Sequence, residues 1–129
     1  MVSHHNLKAA AVLCTLPLCA QAAPEPVIAV FCLTDTVCRN SADNCAADGY
    51  SVRFTKFDDL SGVLRFDNGP DLRAQATTIA GQTKSTFSDR DGTWEFTHDR
   101  DQTFTLMRRA PNALPTYETY YAGTCRDQS

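Results

Sequence analysis

Apolar and polar positions alternate in short runs along most of this chain, and turn residues separate the runs. Tyr50, Val52 and Phe54 fall on one face of residues 50–57, with Ser51, Arg53 and Thr55 on the other. A period of two predicts a strand with one buried face. The same pattern recurs at Gly62–Phe66, Leu72–Ala80, Lys84–Phe87, Gly92–His98 (Trp94 and Phe96 against Glu95 and Thr97) and Thr103–Arg109 (Phe104 and Leu106 against Thr105 and Met107). Thr116–Cys125 continues it, with Tyr117, Thr119 and Tyr121 on one face. Val27–Leu33 is instead almost continuously apolar, as in a strand buried on both sides or one that closes a sheet.

The punctuation supports strands joined by tight turns. Asp58-Asp59, Asp67-Asn68-Gly69-Pro70, Gly81-Gln82 and Ser88-Asp89-Arg90-Asp91-Gly92 each interrupt the alternation. Asn-Gly and Asp-Gly between alternating runs are hairpin signals. Thr34–Gly49 is polar and reads as a loop with at most one helical turn, and Ala110–Pro115 holds two prolines that cannot donate to a ladder. No helical period, repeat or linker intervenes. The chain is therefore expected to be all-β, with about eight antiparallel strands in an up-and-down meander, forming a small closed barrel or a curled sandwich. Val30, Val52, Phe54, Leu64, Phe66, Ile79, Trp94, Phe96, Phe104 and Leu106 form the expected core.

The N-terminus changes the setting. Lys8 precedes an apolar run, Ala9–Ala20, and Ala20-Gln21-Ala22 closes it with small residues at alternate positions. That order predicts a cleaved secretory signal peptide over residues 1–22 and a periplasmic or secreted product of residues 23–129. The run is about a dozen residues, whereas a membrane span needs about 20. Ala23-Pro24-Glu25-Pro26 is expected to be an extended, mobile start. Leu16-Pro17-Leu18-Cys19 raises lipidation at Cys19 as an alternative, although Leu18 stands where such signals normally want Gly, Ala or Ser.

Export decides how the cysteines are read. Cys14 and Cys19 leave with the leader, and Cys32, Cys38, Cys45 and Cys125 remain. An even number in an oxidising compartment predicts two disulfides, for which three pairings exist. We expect a local clip, Cys38–Cys45, around the polar stretch Arg39–Asn44, and a long-range staple, Cys32–Cys125, between the first and last strands. The spacings do not match the paired knuckles of structural zinc sites, so no metal is expected.

Fifteen acidic side chains stand against eleven basic ones once Lys8 is removed, a net charge near −4. This balance argues against a nucleic-acid or membrane-surface partner. Arg108-Arg109 reads as a solvated strand end. No phosphate-cradling loop or cofactor fingerprint occurs, and no cofactor is expected.

Candidate chemistry is sparse. His98 is the only histidine beyond the leader and the only side chain suited to shuttling protons near neutral pH. Asp99 and Asp101 lie beside it, but no strained G-x-S-x-G turn supplies a nucleophile. An exposed histidine at a hairpin end is the plainer reading. Asp89-Arg90-Asp91-Gly92 shares part of a calcium-loop pattern. However, Phe87 and His98 occupy positions where that loop needs acids. Asp58, Asp59, Asp67 and Asp71 sit in turns, where Asp is favoured for backbone reasons. Trp94, Tyr117, Tyr120 and Tyr121, with His98, are the candidate binding residues, since aromatics at a barrel mouth can stack on sugars or hold apolar ligands, although half-buried strand residues are the plainer reading of the four aromatics.

An export leader, a strand ending in Phe31-Cys32, Cys38 and Cys45 in a polar stretch, a β meander and a closing Tyr120-Tyr121-Ala122-Gly123-Thr124-Cys125 occur in that order. Together they resemble the small uncharacterised exported proteins of alphaproteobacterial type. A more distant architectural similarity is to the bacterial inhibitors of C-type lysozyme, which implies an eight-stranded, disulfide-tied fold. The Ser-Gly-x-Arg/Lys-Tyr inhibitory loop of that group is replaced here by Ser61-Gly62-Val63-Leu64. The expected function is a non-enzymatic binding or inhibitor module of the cell envelope, acting as a monomer on an envelope protein or small ligand. A hydrolase using carboxylates such as Asp99 or Glu95, and a purely structural envelope component, are the alternatives.

Overall fold

The computed structural model describes residues 22–41, 43–110 and 117–128, with the side chain of Tyr117 left out. Residues 1–21, with Cys14, Cys19 and almost all of the expected signal peptide, and most of the Ala110–Pro115 segment, lie outside the described residues. Nine strands follow one another: β1 (Pro26–Arg39), β2 (Cys45–Ala46), β3 (Ser51–Phe57), β4 (Ser61–Phe66), β5 (Leu72–Ile79), β6 (Gln82–Asp89), β7 (Gly92–His98), β8 (Thr103–Ala110) and β9 (Tyr117–Asp127). β1 and β3–β9 pair in sequence order, every pair antiparallel, and β9 returns to pair with β1. The result is a closed eight-stranded barrel with β2 as an extra strand on β1. Among the described residues no helix is long and apolar enough to cross a membrane.

The β1–β9 seam closes the barrel. Its ladder runs from Val30↔Asp127 to Arg39↔Thr119. Cys32 and Cys125 face each other in it and form one disulfide, while Cys38 and Cys45 face each other across β1 and β2 and form the second. Both expected pairings are present. Gly123 serves the seam as well, because a Cβ there would collide with the backbone carbonyl oxygen of Leu33.

The inner face carries a phenylalanine core. Phe54, Phe87, Phe96 and Phe104 are essentially inaccessible, with Leu64, Leu106, Val30 and Val52 around them. Phe54 stacks on Phe96 at 4.4 Å between centroids and meets Phe87 edge-on at 6.4 Å. Small inward residues opposite make room for it, for a Cβ on Gly62 would lie 3.2 Å from the Phe54 ring. Ala76 on β5 is fully buried for the same reason.

Several expectations change. Ile79 is not in the core but 72% exposed. The alternation through Leu72, Ala74 and Ala76 turns it outward. Phe66 is only partly buried and sits at a barrel end, whereas Phe87 joins the core because it shares the inward face of β6 with Thr83 and Ser85. Thr34–Gly49 is not a plain loop. β1 continues through Arg39 after a bulge between Thr34 and Thr36, and the bulge resets the pleat so that Thr34 and Val37 both face inward. Thr34 Oγ1 lies 2.9 Å from the carbonyl oxygens of both Asp48 and Tyr50. The start of the domain is also tied down, since Asp58 N–H donates to Glu25 O and Glu25 N–H to Asp58 Oδ1. Val27–Leu33 is buried on one side only, with Val27 56% and Leu33 47% exposed.

The two disulfides close very different loops, with sequence separations of 93 and 7. Chain entropy assigns about 4–5 kcal/mol to the first and about 2 kcal/mol to the second. Urea unfolding should therefore rank the paired variants: Cys32→Ala with Cys125→Ala loses at least twice as much stability as Cys38→Ala with Cys45→Ala. Equal losses would contradict a structure held mainly at the β1–β9 seam.

Candidate binding end of the barrel

The inward face is not uniform along the barrel axis. At the middle it is phenylalanine and leucine, and each end changes character. Residues just beyond the core on β3, β5, β6 and β7 form a polar end: Lys56, Thr78, Thr83, Ser85 and His98. Lys56 is 8% exposed, and its Nζ donates to Thr78 Oγ1 at 2.8 Å, which lies 2.8 Å from Thr83 Oγ1. Ser85 Oγ donates to Gln75 O. A buried ammonium is tolerated only with such partners.

His98 belongs to this polar end and is buried, not exposed. Its Nε2 donates to Gln102 Oε1 at 2.8 Å, and Gln102 Nε2 donates to Asp127 Oδ1 at 3.0 Å. Gln102 holds this bridge from a left-handed backbone conformation, φ 70°, in the Asp99–Gln102 turn. The bridge fixes the imidazole against β9. Trp94 lies four residues away on the same strand, about 13 Å along it. His98 and the aromatic candidates are therefore at opposite ends.

The other end is aromatic. Phe66 at the end of β4, Trp94 on β7, Tyr121 on β9 and Tyr50 just before β3 form a closed circuit of rings. Centroid distances are 4.9 Å (Phe66–Trp94), 6.4 Å (Trp94–Tyr121), 5.3 Å (Tyr121–Tyr50) and 6.1 Å (Tyr50–Phe66). Rings at such separations attract each other beyond simple area burial. Trp94 is the most enclosed, and the other three stay partly open to solvent. A depression of about 190 Å³ lies on this floor, lined by Tyr50, Phe66, Leu72, Trp94, Asp89 and the Asn68-Gly69-Pro70 turn.

Charged side chains rim the quartet. Arg108 does not end β8 in solvent: its guanidinium stands 5.2 Å from the Trp94 ring centroid. Arg109 points outward and reaches Glu118 at 3.7 Å. Trp94 Nε1 donates to Asp89 Oδ2 at 3.0 Å, and Asp91 N–H donates to Asp89 Oδ1. Burial opposes the charge of Asp89, but those hydrogen bonds, with Arg108 adding to them, hold its carboxyl below the ordinary value. Asp89 is thereby committed to Trp94 rather than to a cation. Burial also raises Tyr50 to about 12, helped by Tyr121 and Asp67 and opposed by Arg108. Burial raises Tyr121 too, against Arg39 and Arg108 and with Asp48.

The β1 strand runs past this end, with Val37 opposite Tyr121 and Arg39 opposite Thr119. Beyond the bulge, β1 leaves β3 and pairs with β2, and Cys38–Cys45 clips the tip between them. Arg39 N–H donates to Asn44 O, Asn44 Nδ2 donates to Arg39 O, and Asn40, at φ 64°, exchanges two bonds with the Glu118 backbone. Arg39 and Arg108 both pair with Thr119 on β9, one from each side, so the tip and β8 bring two inward-facing arginines to one level of the barrel.

The sequence candidates are thus divided. Trp94 and Tyr121 meet in the quartet. Tyr120 stands on the outer wall, 42% exposed, with its hydroxyl donating to Glu118 Oε2. The Tyr117 side chain lies outside the described residues. Glu95 is exposed on the outer wall, and Asp99 accepts from Gln82 Nε2 beyond β7, so neither reaches the depression at Trp94. Tyr50, Phe66, Arg39, Arg108 and Asp89 complete the end, and Lys56 the opposite one. Strand parity signals most of them: Tyr50 and Lys56 share the face of Val52 and Phe54, Phe66 that of Leu64, Asp89 that of Phe87, and Arg108 that of Phe104 and Leu106, while the bulge in β1 hides Arg39. Ser61 and Gly62 open β4 with Gly62 against the core, not in a projecting loop. No family model matches the chain, and neither a curated protein nor a solved structure does.

The buried phenols have a consequence at high pH. An unfolded tyrosine ionises near 10, whereas Tyr50 in the barrel ionises near 12. The stability gained by keeping Tyr50 neutral is complete below pH 10 and is lost as pH rises towards 12. Tyr50→Phe keeps the ring and removes the titration. Its urea midpoint should fall less steeply between pH 10 and 12 than that of the unaltered protein, and parallel curves would contradict the enclosed position.

Proposed function

We propose that the chain is an exported, disulfide-bonded barrel module that binds an envelope protein or small ligand at its aromatic end, without chemical turnover. The observation that carries this reading is that the disulfide-clipped end of β1 runs beside the Tyr50–Phe66–Trp94–Tyr121 floor, with Val37 opposite Tyr121 and Arg39 opposite Thr119. Aromatic and arginine side chains dominate binding energy at protein interfaces. A tip already fixed by a disulfide and backbone bonds loses little conformational freedom when a partner docks. Two intramolecular disulfides accord with an oxidising compartment, as does the leader-like start of the chain. The mixed rim of Arg39, Arg108, Asp48, Asp67 and Asp89 suits a polar partner with an apolar or ring-shaped centre.

Trp94 is the sole tryptophan, so its emission reports on this end alone. Affinity capture from envelope extract with residues 23–129 should recover a specific partner, and that partner should shift Trp94 emission on titration. Tyr121→Ala, and Cys38→Ser with Cys45→Ser, should each weaken capture about tenfold or more. Capture of nothing specific, or undiminished capture by both variants, would contradict the proposal.

A further inference from the structure

The outer face of the seam differs from the rest of the wall. β1 turns Val27, Ala29, Phe31 and Leu33 outward, and among the described residues no further strand or loop packs over this row: Val27 and Leu33 are exposed, and Ala29 and Phe31 are partly buried. Register places Arg126 of β9 on one side of Phe31 and Arg53 of β3 on the other, with Arg65 of β4 beside Arg53. The row crosses four adjacent strands, and Arg126 and Arg53 stand about 10 Å apart along it. Their guanidinium carbons lie 5.0 and 5.4 Å from the Phe31 centroid, so one ring carries both cations. Arg65 is engaged by Asp71 at 2.9 Å. Among the described residues no carboxylate pairs with Arg53 or Arg126.

Two shallow depressions meet at this row. One, of about 470 Å³, lies between Arg53 and Arg126. The other, of about 330 Å³, is more apolar and lies between Leu33 and Thr124. Asp127 borders the first, but its Oδ1 is taken by Gln102.

We infer that this row is a docking surface for an acidic cluster on a partner protein, with carboxylates held by Arg53 and Arg126 and a neighbouring apolar side chain set against Leu33. Charge complementarity selects the occupant. The positive charge is confined to the middle of the ridge: exposed Glu25 and Asp58 lie at its Val27 end and exposed Asp35 at its Leu33 end. A uniformly anionic lipid plane would meet those three acids, whereas a compact acidic cluster would not. A second copy of this chain would set arginine against arginine. The wall also offers no free ladder edge here, because β1 is paired on both sides, so recognition falls to side chains. Phe31 acts by holding the two guanidiniums in a fixed pose, which favours bidentate contact with carboxylates.

The test uses the disulfide-intact protein and a fluorescein-labelled poly-glutamate peptide, read by anisotropy at low and physiological salt. Binding should weaken about tenfold in Arg53→Gln with Arg126→Gln, and severalfold in Phe31→Ala, which leaves the charge untouched. Lys84→Gln, on the far wall, removes the same kind of charge and should have no effect. Circular dichroism and thermal melts confirm that each variant is folded. Unchanged binding by the double arginine variant or by Phe31→Ala, or equal weakening by Lys84→Gln, would overturn the inference. So would binding to phosphatidylglycerol vesicles in place of the peptide, or a dimer in sedimentation that Phe31→Ala dissociates.

Discussion

The seam between β1 and β9 is the constraint from which the rest of the structure follows. A meander of eight strands has two open edges, and each would expose unpaired backbone groups. Pairing the first strand with the last removes both, but it must bring together segments more than ninety residues apart. Three features meet there: a disulfide between directly opposed residues, a glycine where any side chain would strike the opposing backbone, and a bulge that lets β1 run on past β3. A domain of this size has a small core, and fixing its most distant contact covalently reduces the entropy the unfolded chain would otherwise gain.

Closure also gives the barrel two unlike ends. Once the sheet is closed, every second residue points into a shared interior, and the side chain at each level is dictated by register. The middle levels are filled by phenylalanine, opposite glycine and alanine on β4 and β5. Beyond them one end collects lysine, histidine and hydroxyl groups, each hydrogen-bonded within the barrel, and the other collects four aromatic rings beside the clipped end of β1. The aromatic end combines a preorganised tip with solvent-reachable rings and charges. The arginine row on the outer seam is a separate surface, on the outer wall of β9, β1, β3 and β4.

Much of this was legible in the sequence, and the failures have physical causes. Alternation revealed the strands, and cysteine arithmetic with the expected strand order led to both disulfides. The loop expected over Thr34–Gly49 failed at one residue, because the bulge at Asp35 breaks the period that pattern reading relies on. Ile79 was misplaced because its hydrophobicity outweighed its parity, although Leu72, Ala74 and Ala76 already fixed the inward set. The covered appearance of Val27–Leu33 reflects a ridge that the barrel itself does not bury. The aromatic quartet was only half visible, since Trp94 and Tyr121 stand out by type while Phe66 reaches Trp94 across the lumen from β4, a contact no local pattern encodes. Likewise Arg108 reads as a solvated residue until its partner on β7 is known.

The central claim is that the sheet is closed by a stapled first and last strand. Proteolysis of the unreduced protein followed by mass spectrometry tests it directly. The account predicts one cross-linked peptide joining Cys32 to Cys125 and another joining Cys38 to Cys45. A Cys32–Cys38 or Cys32–Cys45 peptide, or free thiols at these positions, would contradict it.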